Sequence, residues 1–454
     1  MIWASVLERF ERHAPASVMA RLTLEQALPS GWADAVFEQH RQRQYSRELL
    51  FSTVIELMTL VSLGLRPSLH AAARAMPALP VSLSALYDKV NHTEPAVLQA
   101  LVRGSAARLA PVVAAVGSGA SLPGWQLRIL DGNHLPASEK RLAALRGHRG
   151  AALPGQALVV YDPDSGLVTD IVACEDAHAS ERTAAVPLLE RAQPGQVWIA
   201  DRHFCTGTIL QGWEKAGACF IVREHARHPH LAEHGKWQGR GRIETGAVRE
   251  QTIQSDGAQT PWRRIELTLD LPTEAGESVI RLWSNLPAAI AAQQIAALYR
   301  QRWRIEGMFQ RLESALHSEI GSLGHPRAAL LGFVSAVLAH NVLALLQRCV
   351  EQAHQQAAPA PEVSLYHLAL QIRASYEGML IALPAEHWPS CRGASATELA
   401  ANLLRLARML NPRQVATSKR GPKIAKPKGY VDAAIARAHI ATARVLIQAQ
   451  ASTP

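Results

Sequence analysis

Two aspartates and a glutamate in this chain stand in positions where an acid is hard to explain as ordinary surface. Leu127, Ile129 and Asp131 share one parity of a segment from Trp125 that alternates like a strand, and Val197, Ile199 and Asp201 repeat the arrangement. Each run reads as apolar up to the aspartate that ends it. An ionised carboxylate there is costly unless it is solvated, paired or bound to a cation. Strand ends that run into loops are also where α/β sheets keep functional groups. One such aspartate could equally be a turn or helix-cap residue; two in matched contexts carry more weight. Asp162, Asp164, Asp170 and Asp176 are acids of the same region. Asp162 and Asp164, however, belong to Asp162-Pro163-Asp164-Ser165-Gly166, a hairpin turn that accounts for them without catalysis.

The glutamate comes from Leu298-Tyr299-Arg300-Gln301-Arg302-Trp303-Arg304-Ile305-Glu306. At about 100° per residue, Tyr299, Arg302, Glu306, Gln310 and Glu313 form one stripe, and Leu298, Ile305, Met308, Phe309, Leu312 and Leu316 the adjoining apolar face. One side packs; the other presents a carboxylate, a phenol and a guanidinium. Taken alone, this is also the pattern of a solvated amphipathic helix. Three carboxylates together could hold divalent metal for phosphodiester chemistry, where two ions about 4 Å apart stabilise both the attacking and the leaving oxygen. Hard oxygen ligands favour magnesium, with manganese as a substitute.

The elements that must position these groups follow from periodicity and punctuation. Residues 1–116 read as an all-α N-terminal domain, with stops at Pro67, Pro77, Pro80 and Pro95 and two short helices, Ser68 to Ala75 and Ser82 to Val90, that could make a helix-turn-helix for DNA. Gly117 to Gly124 is a linker. Strands at Trp125 to Leu135, Ala157 to Tyr161 and Val168 to Val172 come next, then a helix at Thr183 to Arg191, a strand at Val197 to Asp201, a helix at Thr206 to Ala216 and a strand at Ala218 to Arg223. That β-β-β-α-β-α-β order is that of an RNase H-like core, whose first part is residues 117–223. Residues 224–288 are Gly-rich and alternating, an inserted β-rich subdomain with strands at Arg264 to Leu271 and Val279 to Trp283. The glutamate helix, from Ala289 to about Leu316, completes the catalytic core over residues 289–350. Residues 351–454 form a helical C-terminal region. Within it, 411–430 carries Arg413, Lys419, Arg420, Lys423, Lys426 and Lys428 with three prolines and no acid, a mobile basic strap.

Composition narrows the partners. The 454 residues suffice for two or three domains, and 47 basic against 38 acidic side chains give a net charge of +9, which suits a polyanion. Cys174, Cys205, Cys219, Cys349 and Cys391 are scattered, without zinc-type spacing, as in a reducing cytoplasm. His225, His228, His230 and His234 lack a second ligand set for zinc. No secretory leader is read at Met1 to Arg12, where Glu8, Arg9 and Glu11 interrupt the apolar residues. The apolar runs Leu49 to Leu65 and Ala328 to Leu346 contain Glu56 and His340-Asn341 respectively, so both are expected as core helices rather than membrane spans.

Ile129-Leu130-Asp131-Gly132, Ile199-Ala200-Asp201-Arg202, Trp283-Ser284-Asn285-Leu286-Pro287 and Tyr299 to Glu306, in that order, resemble the DDE insertion-sequence transposases with a Tyr-x2-Arg-x3-Glu-x6-Lys signature, the insertion sequence four family. The resemblance spans roughly Trp125 to Gln347, and in that family a β-rich insertion precedes the glutamate helix. It implies a DNA transposase that binds the ends of a mobile element and performs metal-dependent cleavage and strand transfer. Asp131 would bridge two magnesium ions, and Asp201 and Glu306 would hold one each. Tyr299 and Arg302 would contact DNA phosphates, with Trp303 stacking or packing beside them. Lys419, Arg420, Lys423, Lys426 and Lys428 would add non-specific grip. The partners implied are double-stranded DNA and a second copy of the chain, in the cytoplasm of a bacterium. Glu313 departs from the pattern, standing where the signature has lysine. On the residues alone, a nuclease of the same fold that cuts without joining, or a domesticated DNA-binding protein, stays open.

Overall fold

In the computed structural model the described residues are 2–417 and 439–451, apart from 77, 78, 118, 228, 230, 274, 275, 358, 359 and 389–392. His228, His230, Cys391 and the strap lysines Lys419, Lys423, Lys426 and Lys428, with Arg420, lie outside them.

Eleven strands lie between residues 126 and 284, the central ones apolar on both faces and others, such as the exposed Gln238–Ile243, with no apolar alternation: β1 (Gln126–His134), β2 (Ala151–Leu153), β3 (Gln156–Tyr161), β4 (Val168–Cys174), β5 (Gln196–Ala200), β6 (Cys219–Arg223), β7 (Leu231–His234), β8 (Gln238–Ile243), β9 (Gly246–Ser255), β10 (Trp262–Leu269) and β11 (Val279–Ser284). Ten of them form one sheet in the order β4-β3-β1-β5-β6-β11-β10-β9-β7, with β8 on β9. The β4–β3–β1 part is antiparallel and β1–β5–β6 is parallel. The hairpin of β3 and β4 turns at Asp162–Gly166, where Asp162 accepts the backbone amides of Asp164 and Ser165. The strands of the insertion extend this same sheet: β11 pairs antiparallel with β6, Leu282 opposite Arg223. Glu266 on β10, almost fully buried, takes Arg249 at 2.6 Å and Arg281 at 2.7 Å from the flanking strands, tying β9, β10 and β11 together.

Helices precede the sheet, cross it and follow it. The first group is α1 (Ile2–His13), α2 (Pro15–Ala27), α3 (Ser30–His40), α4 (Phe51–Ser62), α5 (Leu69–Ala75), α6 (Leu83–His92) and α7 (Pro95–Val116). Ser68 and Ser82 cap α5 and α6 through their hydroxyls. Short helices α8 (Glu181–Ala184), α9 (Val186–Leu189) and α10 (Gly207–Lys215) connect the parallel strands. The single helix expected at Thr183 to Arg191 is thus two short ones, because Pro187 lacks the amide that would carry the turn onward. After β11 come α11 (Ala292–Tyr299), a 3₁₀ turn at Arg300–Arg302, α12 (Trp303–Leu316), α13 (Pro326–Ala353), α14 (Leu365–Ala382), α15 (Ala396–Met409) and α16 (Pro412–Val415).

Each face of the sheet packs differently. Leu127, Ile129, Val197, Ile199 and Ile221 face a core shared by α2, α4, α7, α13, α14 and α15. Leu130, Trp198, Ala200 and Phe220 face a smaller core with Trp213, Trp262 and Trp283, in which Trp198 stacks on Trp213 at 5.5 Å. At the centre of the larger core, α13 is buried almost throughout. Like α7, it is long and apolar enough to cross a bilayer. Its polar residues are spent on the sheet instead: the Asn341 side chain donates to Val168 O and accepts from Val168 N, and His340 bonds Gly166 O.

Candidate active site

The register of β1 against β5 aligns Leu130 with Ala200, so Asp131 and Asp201 follow side by side on adjacent parallel strands. They share the parity of Ile129 and Ile199 and so point to the larger core's side of the sheet. β5 ends just before Asp201, whose carboxylate accepts His203 N at 2.8 Å and starts a 3₁₀ turn. β1 does not end at Asp131, where its apolar run stops, in keeping with the strand expected from Trp125 to Leu135. It runs on to His134, because its antiparallel partner β3 keeps pairing as far as Gln156. Asp131 is therefore held on one flank by a continuous strand and open on the other, where β5 has stopped.

The helix carrying Glu306 also differs from the uninterrupted one expected. The 3₁₀ turn between α11 and α12 draws Arg302 inward, and its guanidinium forks between Asp131 (3.1 Å) and Glu306 (2.9 Å). Burial works against the charge on Arg302; Tyr299, Asp131 and Glu306 outweigh it and raise its pKa above the ordinary arginine value. Burial pushes Asp131 up to about 6 despite Arg302, with Asp201 and Glu306 adding repulsion. Burial likewise pushes the Tyr299 phenol up to about 12, so it stays protonated. Tyr299 and Arg302 are buried rather than presented to solvent, whereas Trp303 is 62% exposed with Arg302 over its ring at 4.7 Å.

The structure thus brings Asp131, Glu306 and Arg302 into contact and sets Asp201 and Tyr299 beside them. It separates off the other acids of the region. Asp170 is paired with Arg191 at 2.8 Å, and Asp176 with Arg444 at 2.6 Å. Glu313 lies exposed farther along α12. Two further groups border the site. Glu181 packs directly over Gly132, where a Cβ would meet its carboxylate at 2.0 Å, and lies 3.6 Å from His203. Arg223 at the end of β6 pairs with Glu277 at 2.6 Å and adds to the field at Tyr299. Arg223 was findable: it ends an apolar strand on the parity of Ile221, the same signal that marks the aspartates.

As donors, three carboxylates suit a hard divalent cation. Their side chains do not converge on one point: among the described residues no three His, Cys, Asp or Glu side chains are placed together to hold a metal. The Arg302 guanidinium lies between two of them, Asp131 and Glu306, as the resident positive charge. The donor set fits in kind, then, and a metal would require Arg302 to move.

Residues 124–342 match the family model of the transposase DDE domain, a stretch that contains all three carboxylates. That domain goes with an RNase H-like fold and, in general, with divalent metal ions. No curated protein matches the chain.

Proposed function

We propose, from the transposase DDE domain at residues 124–342, that this chain cleaves DNA at the ends of a mobile element and joins the freed ends to a target, with Asp131, Asp201 and Glu306 as its metal-binding carboxylates. The observation that carries this reading is the placement of Asp131 within β1 and Asp201 just past the end of the neighbouring β5, side by side, with Glu306 tied to Asp131 through one buried arginine. Magnesium, with manganese as substitute, would neutralise charge on the attacking and leaving oxygens. The nucleophile is water or a DNA 3′-hydroxyl. Its oxygen forms a new bond to phosphorus as the bond to the leaving 3′ oxygen breaks, so no covalent link to the protein is needed.

The chain's own groups have distinct work. Displaced from the carboxylates, Arg302 presents a forked donor suited to a phosphate. The protonated phenol of Tyr299 acts as a hydrogen-bond donor and not as a base. Trp303 offers an exposed ring beside the site. The spacing of Tyr299, Arg302 and Glu306 supports membership of the insertion sequence four family, with a dimer pairing two DNA ends and the 411–430 segment adding non-specific affinity.

Alanine variants of Asp131, Asp201 and Glu306 test the reading. Each should lose cleavage in magnesium while keeping duplex binding and the thermal transition. Near-normal cleavage by any one removes that residue from the set, and cleavage without joined products by the wild type would reduce the activity to that of a nuclease.

A further inference from the structure

The segment that links α3 to α4, Arg41 to Leu50, is held far more firmly than a connector needs to be. Glu94, 4% exposed, accepts the amides of Gln42 (3.3 Å) and Arg43 (3.0 Å). Lys89, 8% exposed, donates to the carbonyls of Tyr45 (3.2 Å) and Leu49 (3.0 Å), and Gln44 donates to Lys89 O at 2.8 Å. Burial lowers the pKa of Lys89. Burying two charges is costly, and here Lys89 and one oxygen of Glu94, its Oε1, are spent on fixing one loop's backbone.

That scaffold turns three side chains outward. Tyr45 is 68% exposed, with Arg41 at 5.7 Å and Arg47 at 5.8 Å from its ring. Arg43 and Arg47 are exposed, and among the described residues neither pairs with a carboxylate. With Arg327 and His92 they line a groove of about 710 Å³. The acids that line it are Glu94, turned to the loop's amides, Asp88, which is paired with His92, and Glu48.

The groove lies at the end of the sheet that carries the carboxylates. Beyond Asp131, β1 reaches His134, which pairs with Gln156; Gln156 in turn pairs with Cys174, the last residue of β4. The next residue, Glu175, holds Arg327 at 2.9 Å, and Arg327 also donates to His92 O. At the usual strand spacing of about 4.8 Å, β4 is roughly 10 Å from β1 across the sheet.

We infer that the Arg41–Leu50 loop is a DNA-backbone clamp, with Arg43 and Arg47 on phosphates of duplex DNA and Tyr45 flat against the sugar-phosphate chain, on the duplex that flanks the cleaved bond. This rests on the DNA-acting reading above and names a surface for it. Arginines with no carboxylate partner among the described residues, an aromatic ring between guanidinium groups and a pre-ordered backbone suit a polyanion of fixed geometry better than an acidic peptide. The contacts come from a loop and go to the backbone, so they carry position rather than sequence, although α6, the second helix of the helix-turn-helix expected from the sequence, lines the same groove through Ala85, Asp88 and His92.

The full-length chain is titrated with a labelled duplex several helical turns long, at salt concentrations between about 50 and 200 mM. Against wild type, the double variant Arg43→Ala/Arg47→Ala should bind more weakly, by a similar factor on unrelated sequences. Its slope of log affinity against log salt should be shallower by about two. Tyr45→Ala should weaken binding with little change in slope. A charge-matched control, Arg9→Ala/Arg12→Ala on α1, should leave the slope unchanged. A double variant that binds like wild type, or a control that lowers the slope equally, overturns the clamp while the DNA-acting reading stands. If wild type binds no duplex at all, it is that reading which fails.

Discussion

Arg302 donates to Asp131 across 3.1 Å although 171 residues separate them in sequence, and the same guanidinium reaches Glu306 at 2.9 Å. A cation therefore already sits among carboxylates that would otherwise repel one another, and Asp131 is nonetheless pushed up to about 6 by burial. Binding of a metal by the proposed triad would exchange one positive charge for another.

Replacing Arg302 with glutamine should expose that exchange. In chelator, the variant leaves Asp131 and Glu306 without their countercharge, and loss of one partner from a buried pair costs about 3–5 kcal/mol. Glu306 is 38% exposed on its side chain, so solvent screening brings the expected loss to roughly 1–3 kcal/mol. Added magnesium should recover part of the variant's melting temperature while moving wild type less. Cleavage should stay impaired, because the phosphate donor is gone. A variant as stable as wild type in chelator and indifferent to magnesium would contradict this account.

A different change should improve the protein. Glu313 is exposed, has no ion-pair partner among the described residues, and lines a groove of about 840 Å³ with Arg304 and Arg311. Helical spacing puts Arg311 far around α12 from Glu313, yet the groove is wide enough to touch both. A DNA strand leaving Glu306 along α12 would meet a carboxylate where the signature has lysine. Glu313→Lys should strengthen DNA binding and cleavage several-fold at low salt, since exposed charge contacts are worth about 1 kcal/mol or less. Equal binding by variant and wild type at the lowest salt would show that DNA does not take this path.

What the sequence made legible was local. Period-two alternation located β1 and β5, and with it the parity that turns Asp131 and Asp201 to one face; period 3.6 located Glu306. What it hid depends on contacts between distant segments. Arg302 reads as a surface residue on a helical wheel, and only the 3₁₀ turn before α12 carries it inward. The approach of Glu181 depends on Gly132 having no side chain, which a glycine in a strand does not announce. The insertion looked like a separate body because its composition changes, whereas pairing of β11 with β6 makes its strands part of the main sheet. The loop at Arg41 to Leu50 carries no local signal of its order, since its anchors, Lys89 and Glu94, are about forty to fifty residues farther along the chain.

Acid should weaken the fold through His340. It is fully buried in α13, bonded among the described residues through Nε2 alone, to Gly166 O at 3.2 Å, and burial together with nearby Arg311 lowers its pKa from 6.5 to about 3. Below 6.5 the unfolded chain takes up a proton on this ring; the folded chain refuses it until about pH 3. The stability that the neutral ring supports is therefore complete above 6.5 and falls as pH drops through that window. One unit is worth about 1.4 kcal/mol, so by about pH 5 the loss from this group is roughly 2 kcal/mol. His340→Gln keeps a donor for Gly166 O and cannot titrate. It should be less stable than wild type at neutral pH, but its urea midpoint should fall less on acidification. His317 and His325, also lowered by burial, are common to both proteins and cancel in the comparison. If the two proteins lose the same stability between about pH 7.5 and 5, the acid sensitivity arises elsewhere and His340 is not its source.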